Sequence, residues 1–349
     1  MKNEYDFVYL TNTPSFYKLN LCNEIARTHS ILIVLLGYGS EAVNTMLSES
    51  SRMRCDFVFL NKGEYTERSR GRVFFRLCKL MRKIRCEKIL YSGWMNGEFN
   101  LFSFFAPKQK NVLVCESSVF DTNFQGIKGG IKRRIVRRMG AVLPSGKPHA
   151  QLFEEAGFDG KCNITGSVGI FNKGKREFEK DISRKPLRYI YVGRLVDVKN
   201  IELLIEVFNC NGLPLTIVGD GELREKLKAT AKPNIRFVGF VNNDELGAIY
   251  QSHDIFILPS YSETWGLVVE EALYWGLPVI VSDKVGSSID MVKDLGTGLI
   301  FKSRDADSLQ KCIDRMERKY DRFREAVMKI DWERRDADQV KAYTDLIPR

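Results

Sequence analysis

Short runs rich in β-branched and aromatic residues alternate with helical patterns along almost the whole chain. This alternation is typical of parallel sheets whose strands are joined by crossover helices, so it predicts an α/β fold. The runs that we assign to strands are DFVYLTN, SILIVLLG, CDFVFLN, KILYSG, NVLVCE, AVLPSG and CNITGS in the first half, and LRYIYVG, LTIVGD, IRFVGF, DIFILPS, PVIVSD and TGLIF in the second. The helices predicted for the second half lie near 199–208, 222–230, 243–250, 267–275, 306–319 and 332–347.

The chain has 349 residues, 44% of them hydrophobic, and is long enough for two domains with separate cores. Residues 169–186 are polar and charged, show no apolar periodicity and end in a proline, which is typical of a domain boundary. We therefore predict a first domain over 1–170, a linker over 171–186 and a second domain over 187–330. A helix over 331–349 follows.

The bulk composition limits the classes of partner. A formal net charge of +10 predicts an anionic partner, and nucleic acid, membrane and phosphorylated substrate all fit. No run approaches the roughly 20 apolar residues that a membrane span needs. The start, MKNEYDFVYLTN, is a polar lead into a strand rather than a signal peptide, so we expect a cytoplasmic protein. The eight cysteines form no C-x-x-C pair, which argues against a zinc site or a disulfide framework.

Two stretches, residues 68–88 and 129–140, carry much of the positive charge. Apolar residues recur in both at helical spacing with cations between them, which predicts basic amphipathic helices at 72–85 and 130–139. They can be solvated faces over ordinary core, or they can be attracted to anionic lipid headgroups. We expect them to lack interleaved exposed aromatics, and no known nucleic-acid module is present. We therefore predict no nucleic-acid partner.

The first candidate site follows the strand LRYIYVG. Gly193 permits close approach of another backbone, and Arg194 and Lys199 converge on one spot if the residues between them form a loop. Two such cations suit a pair of phosphates. On these residues alone, a solvated lysine after an ordinary strand is the commoner case.

Two carboxylates, Glu263 and Glu271, flank the nearly apolar stretch TWGLVVE. Gly266 starts a helix, and the first amides, those of Gly266 and Leu267, form an anion site. Glu263 lies in the turn before the helix and Glu271 about a turn and a half into it, so both reach one cleft. Carboxylates next to a phosphate site are tolerated when they accept hydrogen bonds from hydroxyls. The segment therefore predicts a polyol beside a diphosphate, whereas Glu270 is explained by charge at the helix N-terminus.

Two weaker candidates follow other strands. LTIVGDGELREKL lacks the third glycine of G-x-G-x-x-G, so it predicts only a turn close to a ligand. In FVGFVNNDELGAIY, the backbone at Gly239 and Val241 is a candidate lining for a base pocket. Helix capping by Asn242 or Asn243 is an equally good interpretation of that turn.

Three pieces of the second half, in this order, resemble the retaining glycosyltransferases of the GT-B fold, family four (glycosyl transferases group 1). They are Gly193-Arg194 with Lys199, then Pro259-Ser260, then Glu263-x-Trp265-Gly266-Leu267-x-x-x-Glu271-Ala272, an E-x7-E motif. The resemblance is clear from residue 187 to about 330 and covers the first half in outline. It implies two Rossmann-like domains facing across a cleft, with the C-terminal helix crossing back to the first.

The resemblance also implies roles for single residues. Arg194 and Lys199 bind the donor diphosphate and stabilise leaving-group charge, and Glu263 contacts hydroxyls of the donor sugar and assists catalysis. Glu271 holds the ribose hydroxyls. Substrate binding extends over Thr264, Trp265, Gly266 and Leu267, with the amides from Trp265 to Leu267 on the phosphates.

The first half departs from the family pattern at two places. NTPSFYKLN replaces the usual Gly-Gly loop after the first strand, so substrate contacts there fall to Ser15 and Phe16. Glu116 follows NVLVCE's cysteine, where many members have a histidine. The family needs no D-x-D metal site, and the two such strings, at 305–307 and 336–338, suit helix capping or surface exposure. We predict no metal and no cofactor besides the nucleotide-sugar donor.

The sequence therefore predicts a retaining, metal-independent glycosyltransferase that uses a nucleotide-diphosphate sugar. The expected acceptor is a saccharide or a lipid-linked molecule in cell-surface polysaccharide or glycolipid synthesis, received by the first domain. The basic helices add an expected peripheral attachment to the inner face of the cell membrane. Two alternatives are a catalytically silent nucleotide-sugar-binding protein and a nucleotide-sugar epimerase. The epimerase needs an acid/base pair, yet His29, His149 and His253 lie next to no motif.

Overall fold

The computed structural model describes residues 2–38, 53–176 and 186–347. Residues 177–185 of the predicted linker therefore lie outside the described part. The chain divides into two compact units, the first formed by residues 1–171 with 333–349 and the second by residues 172–332. Each unit is built on one parallel sheet.

The first unit has a seven-stranded sheet in the order β3-β2-β1-β4-β5-β6-β7. All neighbouring strands are parallel. Residues of β2, β5 and β6 are buried throughout, as expected for continuous apolar runs that are covered on both faces. The strands are β1 (Glu4–Thr11), β2 (Ile31–Leu35), β3 (Asp56–Phe59), β4 (Arg85–Ser92), β5 (Asn111–Cys115), β6 (Ala141–Pro144) and β7 (Lys161–Cys162).

The helices of this unit cover the two faces of its sheet differently. Val8 and Leu10 of β1 enter one core cluster and Phe7 and Tyr9 the other, because successive strand residues point to opposite faces. Four consecutive helices pack on the Val8 face: α2 (Arg70–Met81), α3 (Gly97–Phe102), α4 (Gly126–Val136) and α5 (Lys147–Glu155). The Phe7 face is covered by α1 (Phe16–Ile25) and by the C-terminal helix, Trp332–Thr344, which contributes Tyr343.

The second unit has a six-stranded parallel sheet in the order β10-β9-β8-β11-β12-β13. Its strands are β8 (Tyr189–Val192), β9 (Leu215–Val218), β10 (Ile235–Gly239), β11 (Ile255–Leu258), β12 (Val279–Ser282) and β13 (Gly298–Phe301). Its helices are α6 (Ile201–Asn211), α7 (Arg224–Thr230), α8 (Asn243–Gln251), α9 (Leu267–Tyr274) and α10 (Ala306–Met328). Short helical turns lie at Asp197–Lys199 and Ser288–Lys293.

Several predicted bounds are wrong. Helix α2 ends at Met81 and not at 85, because β4 begins at Arg85. Helix α4 begins at Gly126 and not at 130, and its Gly129 packs so tightly that a Cβ there would lie 2.1 Å from the Phe124 carbonyl carbon. The last strand of the first unit is limited to two residues. Helix α10 continues nine residues beyond 319, past non-helical torsions at Lys319.

Within the described ranges, no helix has the length and apolarity that crossing a membrane requires.

Candidate active site

The loop after β8 carries two of the predicted cations and is fixed to the end of β11. Asn200 is buried in the left-handed conformation (φ 53°), and its side-chain amide donates to the Pro259 carbonyl at 3.2 Å. The Tyr261 amide donates to the Val198 carbonyl at 2.8 Å. Parallel strands β8 and β11 are neighbours, so these bonds hold Lys199 at the carboxyl edge of the sheet. Sequence motifs do not single out Asn200.

Glu263 lies in the turn between β11 and α9, and its backbone is held on both sides. Its amide donates to the Lys284 carbonyl at 3.1 Å, and its carbonyl accepts from the Gly286 amide at 2.9 Å. Its carboxylate Oε2 contacts the ammonium of Lys199, and about 15% of either side chain remains exposed. The structure thus places a half-buried ion pair at two residues that the sequence marked separately.

A buried tyrosine shows how close the other charged groups lie. Burial raises the pKa of Tyr191, the Glu263 carboxylate adds to the rise and the Arg194 guanidinium opposes it. The Tyr191 hydroxyl donates to the Arg194 carbonyl at 3.0 Å, beside Gly193. Arg194 itself is exposed. Arg194 and Glu263, the partner of Lys199, therefore both lie close enough to Tyr191 to affect its pKa, and no motif marks this tyrosine.

Gly266 precedes helix α9 and cannot be replaced without strain. Its φ of 87° is in the left-handed region that favours glycine. A Cβ there would lie 3.2 Å from both the Glu263 Cγ and the Val285 Cγ1 atoms. Leu267, half-buried, is the first helical residue, and the first amides of a helix lack intrahelical partners at the positive end of its dipole. Thr264, in the turn before, is exposed.

Trp265 is almost completely buried, and its indole N–H donates to the buried carboxylate of Glu270. The Trp265 carbonyl accepts from the Ser287 amide at 3.0 Å. Its side chain is thus part of the support for the turn, and only its backbone amide is a candidate ligand group. Glu270 lies in the first turn of α9, as its interpretation as charge at the helix N-terminus requires, and it also accepts the tryptophan's hydrogen bond.

Glu271 is half-buried on α9 and accepts a hydrogen bond from the buried Tyr250 hydroxyl at 3.4 Å. Burial raises its pKa to about 7, while the Tyr250 hydrogen bond lowers it and Glu270 adds to the rise. A carboxylate whose pKa is raised by burial is stabilised in its charged form when a ligand supplies new hydrogen-bond donors. Tyr250, on α8, is a neighbour that the E-x7-E spacing does not reveal.

The carboxyl ends of β8, β9 and β10 approach each other closely at glycines. The Gly219 amide donates to the Gly239 carbonyl at 2.7 Å, and a Cβ on Gly219 would lie 1.9 Å from the Gly193 carbonyl oxygen. The predicted base-pocket residues lie at this edge, with Gly239 buried and Val241 half-buried. Phe240, between them, is 75% exposed and was not predicted as a site residue.

The predicted site residues of the first unit also lie together. Ser15 and half-buried Phe16 begin α1, and Lys18 of the same helix forms an ion pair with Glu116 at 3.0 Å. Burial lowers the pKa of Lys18, but the Glu116 carboxylate and Tyr17 outweigh it and the net pKa is raised. Glu116 is therefore paired with a buried cation that the sequence pattern does not indicate.

Other polar groups have structural roles. His253 contacts the Ile249 carbonyl and the Thr216 hydroxyl, both at 2.8 Å. Asp305 caps helix α10 by accepting from the Ser308 amide at 2.9 Å, as the capping interpretation of this D-x-D string predicts.

Comparison with known proteins identifies the second unit. Residues 172–329 match the family model described as glycosyl transferases group 1. Over these residues, which make up less than half of the chain, the second unit is similar to that family. The group 1 match contains the whole sheet of the second unit, with Arg194, Lys199, Glu263 and Glu271, and leaves the first unit outside it.

Relatives match part of the chain at moderate identity. The uncharacterized glycosyltransferase MJ1607 of Methanocaldococcus jannaschii is 32% identical over 165 residues, which are 45% of this chain and 39% of that protein. A GDP-mannose-dependent alpha-mannosyltransferase of Mycolicibacterium smegmatis is 40% identical over 111 residues, 32% of this chain and 29% of that protein. The chain thus matches well under half the length of either relative.

Solved structures match nearly the full length of the chain. The lipopolysaccharide outer core galactosyltransferase WaaB, in its apo form, has a TM-score of 0.70 at 14% identity over 98% of each chain. Anabaena HepE in complex with UDP-glucose has a TM-score of 0.68 at 14% identity over 98% of this chain and 100% of that one. Such low identity shows the fold alone. The predicted GT-B fold with two Rossmann-like domains is confirmed.

Proposed function

We propose that this chain is a retaining glycosyltransferase that moves a sugar from a nucleotide-diphosphate sugar to an acceptor. The observation that carries the proposal is the Lys199–Glu263 contact beside the start of α9, because it joins a cation, a carboxylate and helix amides at one place. The family match supports the reaction class. The HepE complex holds UDP-glucose and a relative is named for GDP-mannose, which supports a nucleotide sugar as donor without selecting its base.

The donor is held by groups of the second unit. Arg194, Lys199 and the first amides of α9 bind the diphosphate, because cations and helix N-termini both stabilise phosphate charge. Glu271 accepts hydrogen bonds from the ribose hydroxyls, and Glu263 accepts from hydroxyls of the transferred sugar. In the free protein Glu263 neutralises Lys199, so diphosphate binding gives the ammonium a second partner.

In the chemical step the bond between the anomeric carbon and the diphosphate oxygen breaks, and its electron pair leaves with the oxygen. Lys199, Arg194 and the helix dipole stabilise the charge that develops there, and preorganised charges of this kind usually lower a barrier more than any other single effect. The acceptor hydroxyl attacks the oxocarbenium-like carbon on the same face, and its proton passes to the departing phosphate oxygen. Configuration is thereby retained. These groups supply the positive charge that the step requires, so we propose that it proceeds without a metal ion.

The proposed acceptor is a saccharide or a lipid-linked molecule of a cell-surface polysaccharide or glycolipid, bound on the first unit near Ser15, Phe16 and Glu116. The likeness to WaaB, a lipopolysaccharide galactosyltransferase by its name, supports this class. We also propose that the protein works in the cytoplasm and attaches peripherally to the inner face of the membrane through its basic helices.

A panel of nucleotide sugars tests the proposal. Each is first screened for thermal stabilisation of the protein, and labelled forms of the stabilising ones are then followed for slow hydrolysis or transfer. We expect at least one donor both to stabilise the protein and to release its sugar. Stabilisation without turnover would indicate a silent binding protein. Conversion to an epimer without release would indicate an epimerase, for which His253 is an unsuitable acid/base since its ring is held by Thr216 and Ile249.

A further inference from the structure

The two basic helices of the first unit lie on the same face of its sheet. Residues of α2, α3 and α4 all pack into the one cluster that contains Val8 and Leu10 of β1. Neither α2 (RGRVFFRLCKLM) nor α4 (GIKGGIKRRIV) contains an acidic residue. Two strongly cationic helices with α3 between them therefore cover one side of this unit.

Large apolar side chains project from this cationic face. Phe75 is 68% exposed, Phe105 70% and Ile127 87%. The exposed set, which we name the apolar ridge, consists of Phe75, Leu101, Phe104, Phe105, Ile127 and Ile131. The sequence-based expectation that the basic helices lack exposed aromatics is thus wrong for α2. Contiguous apolar groups in a polar surround mark an interaction surface.

Contacts connect the ridge segment 101–106 to α2 and to the end of α4. The rings of Phe74 on α2 and Phe105 after α3 lie 5.9 Å apart. On the other side, the guanidinium of Arg138, just after α4, donates to the Ala106 carbonyl at 2.9 Å and lies 5.9 Å from the centre of the Phe104 ring. The segment 101–106 therefore bridges α2 and the end of α4.

Cations and apolar groups are mixed along each helix and are not separated into patches. Phe75 shares a helical stripe with Arg72, Lys79 and Arg82, at spacings of three, four and seven residues. Ile127 and Ile131 share a stripe of α4 with Arg134, whereas the Arg138 guanidinium is bound to the Ala106 carbonyl. Long cationic side chains beside inserted apolar groups can extend toward headgroup phosphates while their methylene stems remain in apolar surroundings.

We propose that this face is a membrane-docking surface, in which the apolar ridge enters the headgroup and acyl boundary of a bilayer rich in anionic lipid. The flanking cations then bind lipid phosphates. Half of the ridge is leucine and isoleucine, which provide no stacking surface for nucleobases, so an anionic bilayer fits this mixture of apolar and cationic groups better than a nucleic acid does. The inference deepens the proposed function and rests on it in one respect, namely that a bilayer carries the acceptor.

Co-sedimentation with vesicles tests the surface. The full chain is mixed with vesicles of phosphatidylcholine alone or with about one third phosphatidylglycerol, at low and high salt. We expect binding to the anionic vesicles only, weakened by salt. The double variant Phe75→Ser, Phe105→Ser should bind at least about tenfold more weakly, and so should Arg72→Gln with Lys79→Gln. Ile127→Ser should also weaken binding. The Ile127 side chain is 87% exposed, so this substitution leaves the core intact.

The matched control replaces exposed apolar residues of the second unit, Leu295→Ser with Met328→Ser, and should bind vesicles like the wild type. Thermal unfolding confirms that each variant is folded, and donor turnover with a soluble acceptor should be the same for all.

Vesicle binding that survives the ridge substitutions would overturn the proposal. So would binding of a single-stranded oligonucleotide in place of vesicles, or self-association through these residues. A protein that binds vesicles as expected but turns over no donor would refute the proposed reaction and keep the docking surface.

Discussion

Removing either charge of the Lys199–Glu263 pair should lower turnover without unfolding the protein. Lys199→Met keeps most of the side-chain volume and Glu263→Gln keeps its shape, so both variants test charge more than packing. Lys199 is proposed to stabilise the leaving diphosphate and Glu263 to hold the transferred sugar. Each variant should therefore reduce kcat/KM by at least about tenfold, which corresponds to about 1.4 kcal/mol of barrier.

The effect on stability follows from the burial of the pair. Two unit charges 4 Å apart attract by about 4 kcal/mol at an effective dielectric constant of 20, and desolvation offsets much of this. Exposed pairs contribute about 0–1 kcal/mol, whereas breaking a fully buried pair costs about 3–5 kcal/mol. Because about 15% of either side chain is exposed, we expect a loss of about 1–3 kcal/mol for each single variant. The double variant should cost less than the sum of the two.

Urea unfolding and initial rates with a labelled donor, measured on the two single variants and the double variant, give both quantities. The exposed pair Glu325–Lys329 supplies a control, since Lys329→Met should change neither stability nor rate. A folded Lys199→Met or Glu263→Gln variant with a rate near that of the wild type would refute the catalytic role of the pair. If the rate falls only in proportion to the fraction of protein that is folded, the pair has a structural role and no catalytic one.

Three further outcomes are expected. Burial raises the pKa of Glu271 to about 7, and ribose hydroxyls favour its ionised form. The affinity of the wild type for a nucleoside diphosphate, measured by calorimetry, should therefore increase about tenfold from about pH 6 to 8. Glu271→Gln is the reference, because ionisation of the ligand's phosphate affects both proteins equally and the increase is counted relative to this variant. Gly219→Ala should destabilise the protein by about 2–4 kcal/mol in urea, because its Cβ would lie 1.9 Å from the Gly193 carbonyl oxygen. Gly71→Ala, at an exposed position of α2 with open space around its Cβ, should be neutral or stabilising. EDTA should leave donor turnover largely unchanged, and a complete loss that Mg²⁺ or Mn²⁺ restores would contradict the proposed metal-independent step.

The sequence was informative where structure depends on local pattern. Parallel strands buried on both faces are short continuous apolar runs, so runs such as ILIVL and IFIL are recognisable one by one. Helix ends were less predictable. The amphipathic pattern of α2 continues through residue 84, but the chain turns after Met81 to enter β4, and periodicity contains no information about that turn.

The candidate site divides in the same way. Glu263, Gly266 and Glu271 lie on one turn and one helix, so their spacing alone indicates a common site. Lys18 beside Glu116, and Tyr250 beside Glu271, come from different elements that only the folded chain brings together. Such partners carry no sequence signature of their own, because any polar residue at the right place in the fold can supply the contact.

The anomer that is first released from the nucleotide sugar reports directly whether the chain breaks the donor bond with retention of configuration. Proton NMR of slow donor hydrolysis, started with a nucleotide sugar of α configuration that stabilises the protein, distinguishes the two anomers before they equilibrate. We predict that the α-anomer appears first and that Glu263→Gln slows its appearance by at least about tenfold. First appearance of the β-anomer would contradict retention, and release of no sugar from any donor of the panel would contradict the reaction itself.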